Sequence, residues 1–323
     1  MTLLVPNSPA VVPAPPEVPA IDSSRPAEFD KPTNLQRIIY VIAILTPFAG
    51  LIAGIVMLWG RGFNWLYLGL FVGMYLLSAL GVTVGYHRLF CHRAFETNGI
   101  MKFIFGVMGS MAVEGSILKW VSMHRCHHQH SDAHGDPHSP HHHGTGFVNM
   151  IQGLFHAHVG WMFRGDPKDL SRYVTDLVRD RAIQACSKTW GLWAIIGMLL
   201  PAALGGLITM SWMGVLMGFL WGGLARVFLI HHMTWSINSI CHLWGTKPFR
   251  SHDESRNNFL FGVIGLGEGW HNNHHAFPTS ARHGLRWWEL DLSYSVIRTL
   301  EAVGLAWDVR VPNAARVTAK LAR

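Results

Sequence analysis

The chain has 323 residues and carries 26 Lys+Arg against 19 Asp+Glu, a net charge of +7, yet only 14% of its residues are charged, where a soluble domain has about 25%. Half the residues are apolar and only four are Cys, which excludes a disordered chain, a coiled coil, a nucleic-acid-binding arm and a disulfide scaffold. The 21 His are the anomaly, and together with the apolar bulk they point to a membrane protein with a metal centre.

Residues 1–36 are rich in Pro, Ala and Val with acids and bases mixed, and lack a basic stretch leading into an apolar core. A flexible cytoplasmic tail is expected there rather than a cleaved signal peptide, with one integral-membrane domain over 37–323. Ile38–Trp59 and Gly62–Tyr86 are uncharged, and helices are expected over 38–59 and 64–86. Thr189–Ala225 is also uncharged, prolonged by Val227–Ile230. A span needs about 20 residues, so this run divides near Ser211 into helices over 190–210 and 212–233. Pro201 is tolerated in a membrane helix.

Two hairpins with short outer connections place 24 of the 26 Lys and Arg on one side. The basic side is normally cytoplasmic, so both termini and the segments 87–188 and 234–323 are expected inside, as a helical cap. Arg61 lies in the first hairpin turn, and Arg226, inside the fourth span, is expected to snorkel toward the basic side. Ile104–Leu118 and Phe259–Leu266 are expected to be interfacial pieces.

The histidines all follow residue 86 and fall into patterns: His87-Arg-Leu-Phe-Cys-His92, His124-Arg-Cys-His127-His128, Asn238-Ser-Ile-Cys-His242 and His271-Asn-Asn-His274-His275. On a helix, positions i, i+3 and i+4 share a face, so each HxxHH gathers three imidazoles and Asn238 faces the same way as His242. His87 and His92, five apart, diverge by about 140° on an α-helix, and are expected to flank a site or serve different ions. Nine His and one Asn exceed one tetrahedral site, so two ions sharing one cluster is the simplest accounting. The fold class is therefore an all-α membrane protein, four transmembrane helices under a cytoplasmic cap that holds a dimetal site. His130, His134, His138 and His141–His143 lie in a Gly/Pro/Asp-rich stretch and read as a solvated loop, with His138 and Asp136 as candidates to line an entrance. His231 and His232 read as interfacial; His156 and His158 suit supporting or packing roles.

Imidazole suits zinc, copper and iron alike. The box cysteines Cys91, Cys126 and Cys241 are too scattered for an iron–sulfur or Cys-zinc site, and neither HExxH nor the Glu/ExxH set of soluble di-iron bundles is present. Carboxylates near the boxes, Asp132, Asp136, Glu268 and Glu114, are candidates to orient the imidazoles.

From Gly85 to Pro312 the boxes and their flanks, GYHRLFCHRAFE, HRCHHQHSDAHGDPH, HAHVGWMF, NSICHLWG, GEGWHNNHHAFP and WWELDLSYSVIRTLEAVGLAWDVRVP, resemble the membrane fatty-acyl desaturases of the Δ9 (stearoyl) type. The resemblance implies an enzyme with two non-haem iron ions that uses O₂ and two external electrons to place a cis double bond in a saturated acyl chain; zinc can replace iron in purified protein. It implies metal ligation by His87, His92, His124, His127, His128, His242, His271, His274 and His275, with Asn238 reaching a metal through water. An acyl substrate of this kind needs a bent apolar tunnel, which Trp120, Thr234 and Trp235, adjoining ligand segments, are candidates to line. Arg125 and Arg164, with Arg88 and Lys119, are candidates to meet its anionic head group. Where animal acyl-CoA members have an Arg-Asp pair before HxxHH, this chain has Ser122 and Met123, so both acyl-lipid and acyl-CoA substrates stay open. A haem-binding extension is not expected, these residues carry no ferredoxin cysteine set, and a separate ferredoxin-type electron donor is expected. A His-box hydroxylase shares the oxidant. A metal transporter would place its ligands near the bilayer midplane, whereas these lie at the inner ends of spans.

Overall fold

A computed structural model describes residues 29–59 and 64–322. The tail expected over 1–36 lies mostly outside the described residues. The described residues begin with Phe29–Asp30, which pairs antiparallel with Asp166–Pro167, and Thr33 begins the first long helix with a reciprocal cap to Gln36.

The described residues are mostly helical, and four helices are long and apolar enough to cross a membrane: Asn34–Leu58, Trp65–Cys91, Trp190–Thr209 and Trp212–His242. The third and fourth join at Met210, which takes a left-handed backbone (φ +48°), and Ser211 caps the fourth. Their close approach depends on small residues: a Cβ on Gly205 would stand 2.2 Å from the Gly214 carbonyl. The second and fourth helices are the inner pair, with 56% and 61% of their most apolar windows buried, against 17% and 28% for the first and third. That inner pair runs on into the cap and carries the first and third histidine boxes there.

Arg226 does not snorkel. It is fully buried, and its guanidinium donates to the carbonyls of Gly222 (3.0 Å), Gly197 (2.6 Å) and Met111. The reason is local. Pro201 has no N–H, so the Gly197 carbonyl four residues earlier lacks its helical partner, and Arg226 supplies one.

The piece expected over Ile104–Leu118 is not one element. A helix ends at Ser110, left-handed Val113 and Gly115 turn the chain, and Ser116 caps a second helix, Ile117–His130, which bears the HxxHH box. In the cap, Glu96–Thr97 pairs with Ala306–Trp307, tying the segment after the first box to the C-terminal region. The main core is built from Val84, Phe90, Phe95, Phe105, Ile117 and Ile297, among others, directly behind the boxes.

Candidate metal centre

The nine box histidines meet at one place and divide into two groups. His87, His92, His124, His128 and His274 form one, and His127, His242, His271 and His275 the other; within each group the ligand atoms lie within 4.8 Å of one another. Each HxxHH box is shared between the groups rather than converging on one ion. Positions i and i+4 diverge by about 40° around a helix, whereas i and i+3 diverge by about 60° in the opposite sense. Thus His124 and His128 face the first group while His127 turns to the second, and His271 and His275 face the second while His274 turns to the first.

His87 and His92, expected to flank a site or serve different ions, share the first group. The second spanning helix becomes a π-helix over Gly81–Cys91, and the His92 amide donates to the His87 carbonyl at 3.1 Å. Bonding from i to i+5 brings the fifth residue back under the first, which α-helical spacing does not.

Four Nδ1 atoms are held by carboxylates. His87 meets Glu268 at 2.6 Å, His127 meets Asp136 at 3.0 Å, His242 meets Asp132 at 2.8 Å and His275 meets Asp253 at 2.5 Å. A carboxylate on Nδ1 fixes the proton there and leaves the Nε2 lone pair facing inward. Burial alone would raise the carboxyl pKa values, but the adjoining imidazoles, and Arg88 at Glu268, hold all four carboxylates well below their ordinary range. Burial, and then the imidazoles' proximity to one another, lowers the pKa of His92, His124, His128, His271 and His274. Neutral imidazole is the form that binds a metal.

The donor set fits metal cations. Nε2 atoms face one another at 3.1 Å (His87 and His274), 2.9 Å (His274 and His128) and 3.0 Å (His242 and His271), and the buried Nε2 atoms of His127 and His275 have no hydrogen-bond partner. Nε2 atoms gathered this closely can offer their lone pairs to a common cation, which would also satisfy the unpartnered ones. The cysteines take no part: all four are free and buried. Asn238 is half-buried, one turn before His242.

The other expected residues fall in several places. Glu114 touches no box histidine; it accepts from Trp120 Nε1 (2.9 Å) and Thr234 Oγ1 (2.7 Å). Burial, against those two bonds, pushes its pKa up to about 7. Trp120 stacks on His124, with centroids 5.0 Å apart. Trp235 is buried against the rings of His158, His231 and His232. Arg125 is not free for a head group, because all five of its N–H donors are engaged by Asp176 and the carbonyls of Phe90, Cys91 and Tyr173. Arg88 is also buried, held by Glu268 and Asp291. Lys119 pairs with Asp166 at 2.9 Å, and Arg164 lies 4.0 Å over the Phe29 ring.

The Gly/Pro/Asp-rich stretch is less solvated than expected. Residues 135–140 are buried, His138 packs 4.5 Å from the His127 ring, and His141 Nε2 bonds the His242 carbonyl at 3.0 Å. His231 is interior rather than interfacial, on the carbonyls of Ala112 and Val113. His158 bridges His232 (2.9 Å) and Ser239 (3.0 Å). Two residues escaped the sequence reading. Asp253 is one, with no helical relation to a box. The other is His283, buried with its ring 4.5 Å from His274 and its Nδ1 3.2 Å from the Arg88 guanidinium.

Comparison with known proteins agrees with this geometry. A family model for fatty acid desaturase matches residues 63–309. The chain is 42% identical to a hex-5-enoyl-[acyl-carrier protein] acetylenase of Moorena producens, covering 89% of this chain and 90% of that protein. It is 36% identical to an sn-1 stearoyl-lipid 9-desaturase of Synechocystis, covering 77% and 74%. It is also 36% identical to Delta-9 acyl-lipid desaturase 1 of Arabidopsis thaliana, covering 78% and 77%.

Proposed function

The chain belongs to the fatty acid desaturase family, an oxidoreductase of fatty acyl chains, and on that premise we propose that it inserts a cis double bond, at the Δ9 position, into a saturated acyl chain carried on a membrane lipid. The observation that carries this reading is the pair of imidazole groups, five and four strong, at the cap ends of two spanning helices. In this reading the two groups would hold two iron ions, Asn238 would reach a metal through water, and the cap and both termini face the cytoplasm. Relatives that act on stearoyl-lipid and acyl-lipid support the lipid carrier.

An unactivated methylene has no acidic proton, so acid–base chemistry cannot begin the reaction. When bound, the metal pair supplies, with O₂, an oxidant strong enough to take hydrogen from it. The chain's own residues hold the geometry. Asp132, Asp136, Asp253 and Glu268 fix four imidazoles in one tautomer and orientation. Trp120 and Thr234, tied together through Glu114, give the acyl chain a rigid wall beside His124. Two electrons come from a separate ferredoxin-type carrier, and an acidic one suits the basic face of the cap.

A second reading, acetylenase chemistry on a carrier-protein-borne chain, has its own support: the Moorena relative is a hex-5-enoyl-[acyl-carrier protein] acetylenase. Expression in a host lacking the activity, beside a His274→Ala control, separates the two. Cis-Δ9 chains on intact lipids that vanish in the control are expected. Alkynes, or products confined to thioester pools, favour the second reading; hydroxylated chains favour a hydroxylase.

A further inference from the structure

Phe259–Ile264 is a six-residue helix, FLFGVI, with no polar side chain. One side, Phe261 and Ile264, packs with Tyr75 and Leu76 of the second spanning helix and Leu229 and Met233 of the fourth. The other side, Phe259 (63%), Leu260 (58%) and Val263 (40%), is exposed. A helix that is apolar all round belongs in an apolar medium.

Its depth follows from helix geometry. Tyr75, whose hydroxyl donates to the Ile264 carbonyl, lies ten residues into the second spanning helix, about 15 Å from its outer end at 1.5 Å per residue. Leu229 and Met233 lie about 25 and about 31 Å from the outer end of the fourth. A hydrocarbon core is about 30 Å thick, so the contact runs from about its midplane to its cap-side boundary. Backbone at that depth must be satisfied by protein, and much of this segment's is: the amides of Gly262, Gly265 and Gly267 donate to the carbonyls of Asn258, Phe261 and Gly262, and the Leu266 carbonyl accepts from the Ser293 amide.

The apolar surface continues toward the cap. Trp270 packs against both Phe259 and Trp288, Trp287 is 92% exposed, and Arg286 lies over the Trp288 ring. Tryptophan with a neighbouring cation is the pairing found at a membrane interface.

We propose that residues 259–266 form a re-entrant wedge seated in the cap-side leaflet, covered by lipid acyl chains, with Trp287 and Trp288 as its interfacial edge. The inference goes beyond the function proposed above and does not require it. Its consequence is positional: the wedge leads straight into Glu268 and the His271 box, so lipid chains lie within a few residues of the metal groups.

All four native cysteines are buried, so exposed positions can be labelled selectively. Nitroxides at Leu260→Cys and Trp287→Cys, in the full chain reconstituted in phosphatidylcholine vesicles, report collision with O₂, which concentrates in lipid, and with a water-soluble nickel chelate. Leu199→Cys, on the exposed face of the third span, is the lipid control, and Ala315→Cys, on the exposed C-terminal helix, is the water control. The proposal expects Leu260→Cys to match the lipid control and Trp287→Cys to fall between the two. Nickel accessibility at Leu260→Cys equal to that at Ala315→Cys overturns it. Val263→Cys provides the same test should the Leu260 variant fold poorly. Desaturase activity does not enter the readout, so a failed function assay leaves this result intact.

Discussion

Arg88→Met is expected to be the most destabilising single change in the cap, by about 3–5 kcal/mol. Arg88 is 0% exposed and donates to Glu268, Asp291, the Ala281 carbonyl and His283. Met fills the space and leaves two buried carboxylates without their cation. The loss reaches the metal centre, because Glu268 also holds His87 Nδ1 and Asp291 caps the helix Leu292–Ala302. Thermal unfolding in detergent, read on both forms across pH, is the check. Glu268 is held well below the usual carboxylate range, burial being outweighed by His87, His283 and Arg88. A depressed carboxyl contributes stability above its unfolded value and loses it as pH falls through the folded one. The gap between variant and wild type should therefore be full at neutral pH and narrow below about pH 4. An unchanged melting temperature at neutral pH would show that the network is dispensable.

The second large effect separates neighbours on one helix. His124→Ala and His127→Ala should each lower product formation at least ~100-fold, since losing a ligand costs more than losing its outer partner. They should do so by releasing different ions. Each single variant then retains about one metal per chain, and the double variant retains none. If each HxxHH box instead served a single ion, both changes would strip the same site and the double variant would still hold one. Metal analysis after gel filtration distinguishes these outcomes.

Much of the architecture was legible because it follows from local rules. Uncharged runs of span length and the break near Ser211 are properties of contiguous sequence. So are the boxes, whose spacing announces a shared helical face. The misreadings came from contacts made across the fold. His87 and His92 share a group because the helix changes from α to π at Gly81, and nothing in the residue spacing marks that change. Arg226 was read as snorkelling, since the lone Gly197 carbonyl that holds it is set by Pro201 on another helix. Arg88 and Arg125 look like surface cations in sequence and turn out to be interior staples, paired with acids about 50 to 200 residues away. Asp253 and His283 could not be found by helical periodicity, because each reaches the centre from a loop.

The chemistry proposed here requires two ions bound by nitrogen and oxygen alone. The most direct measurement is metal content with iron-edge X-ray absorption on protein purified from cells grown with iron in excess. Two irons per chain, no sulfur neighbour near 2.3 Å and product formation that rises with iron content are the expected results. One ion per chain, sulfur in the coordination sphere, or full activity in iron-free protein would contradict the account.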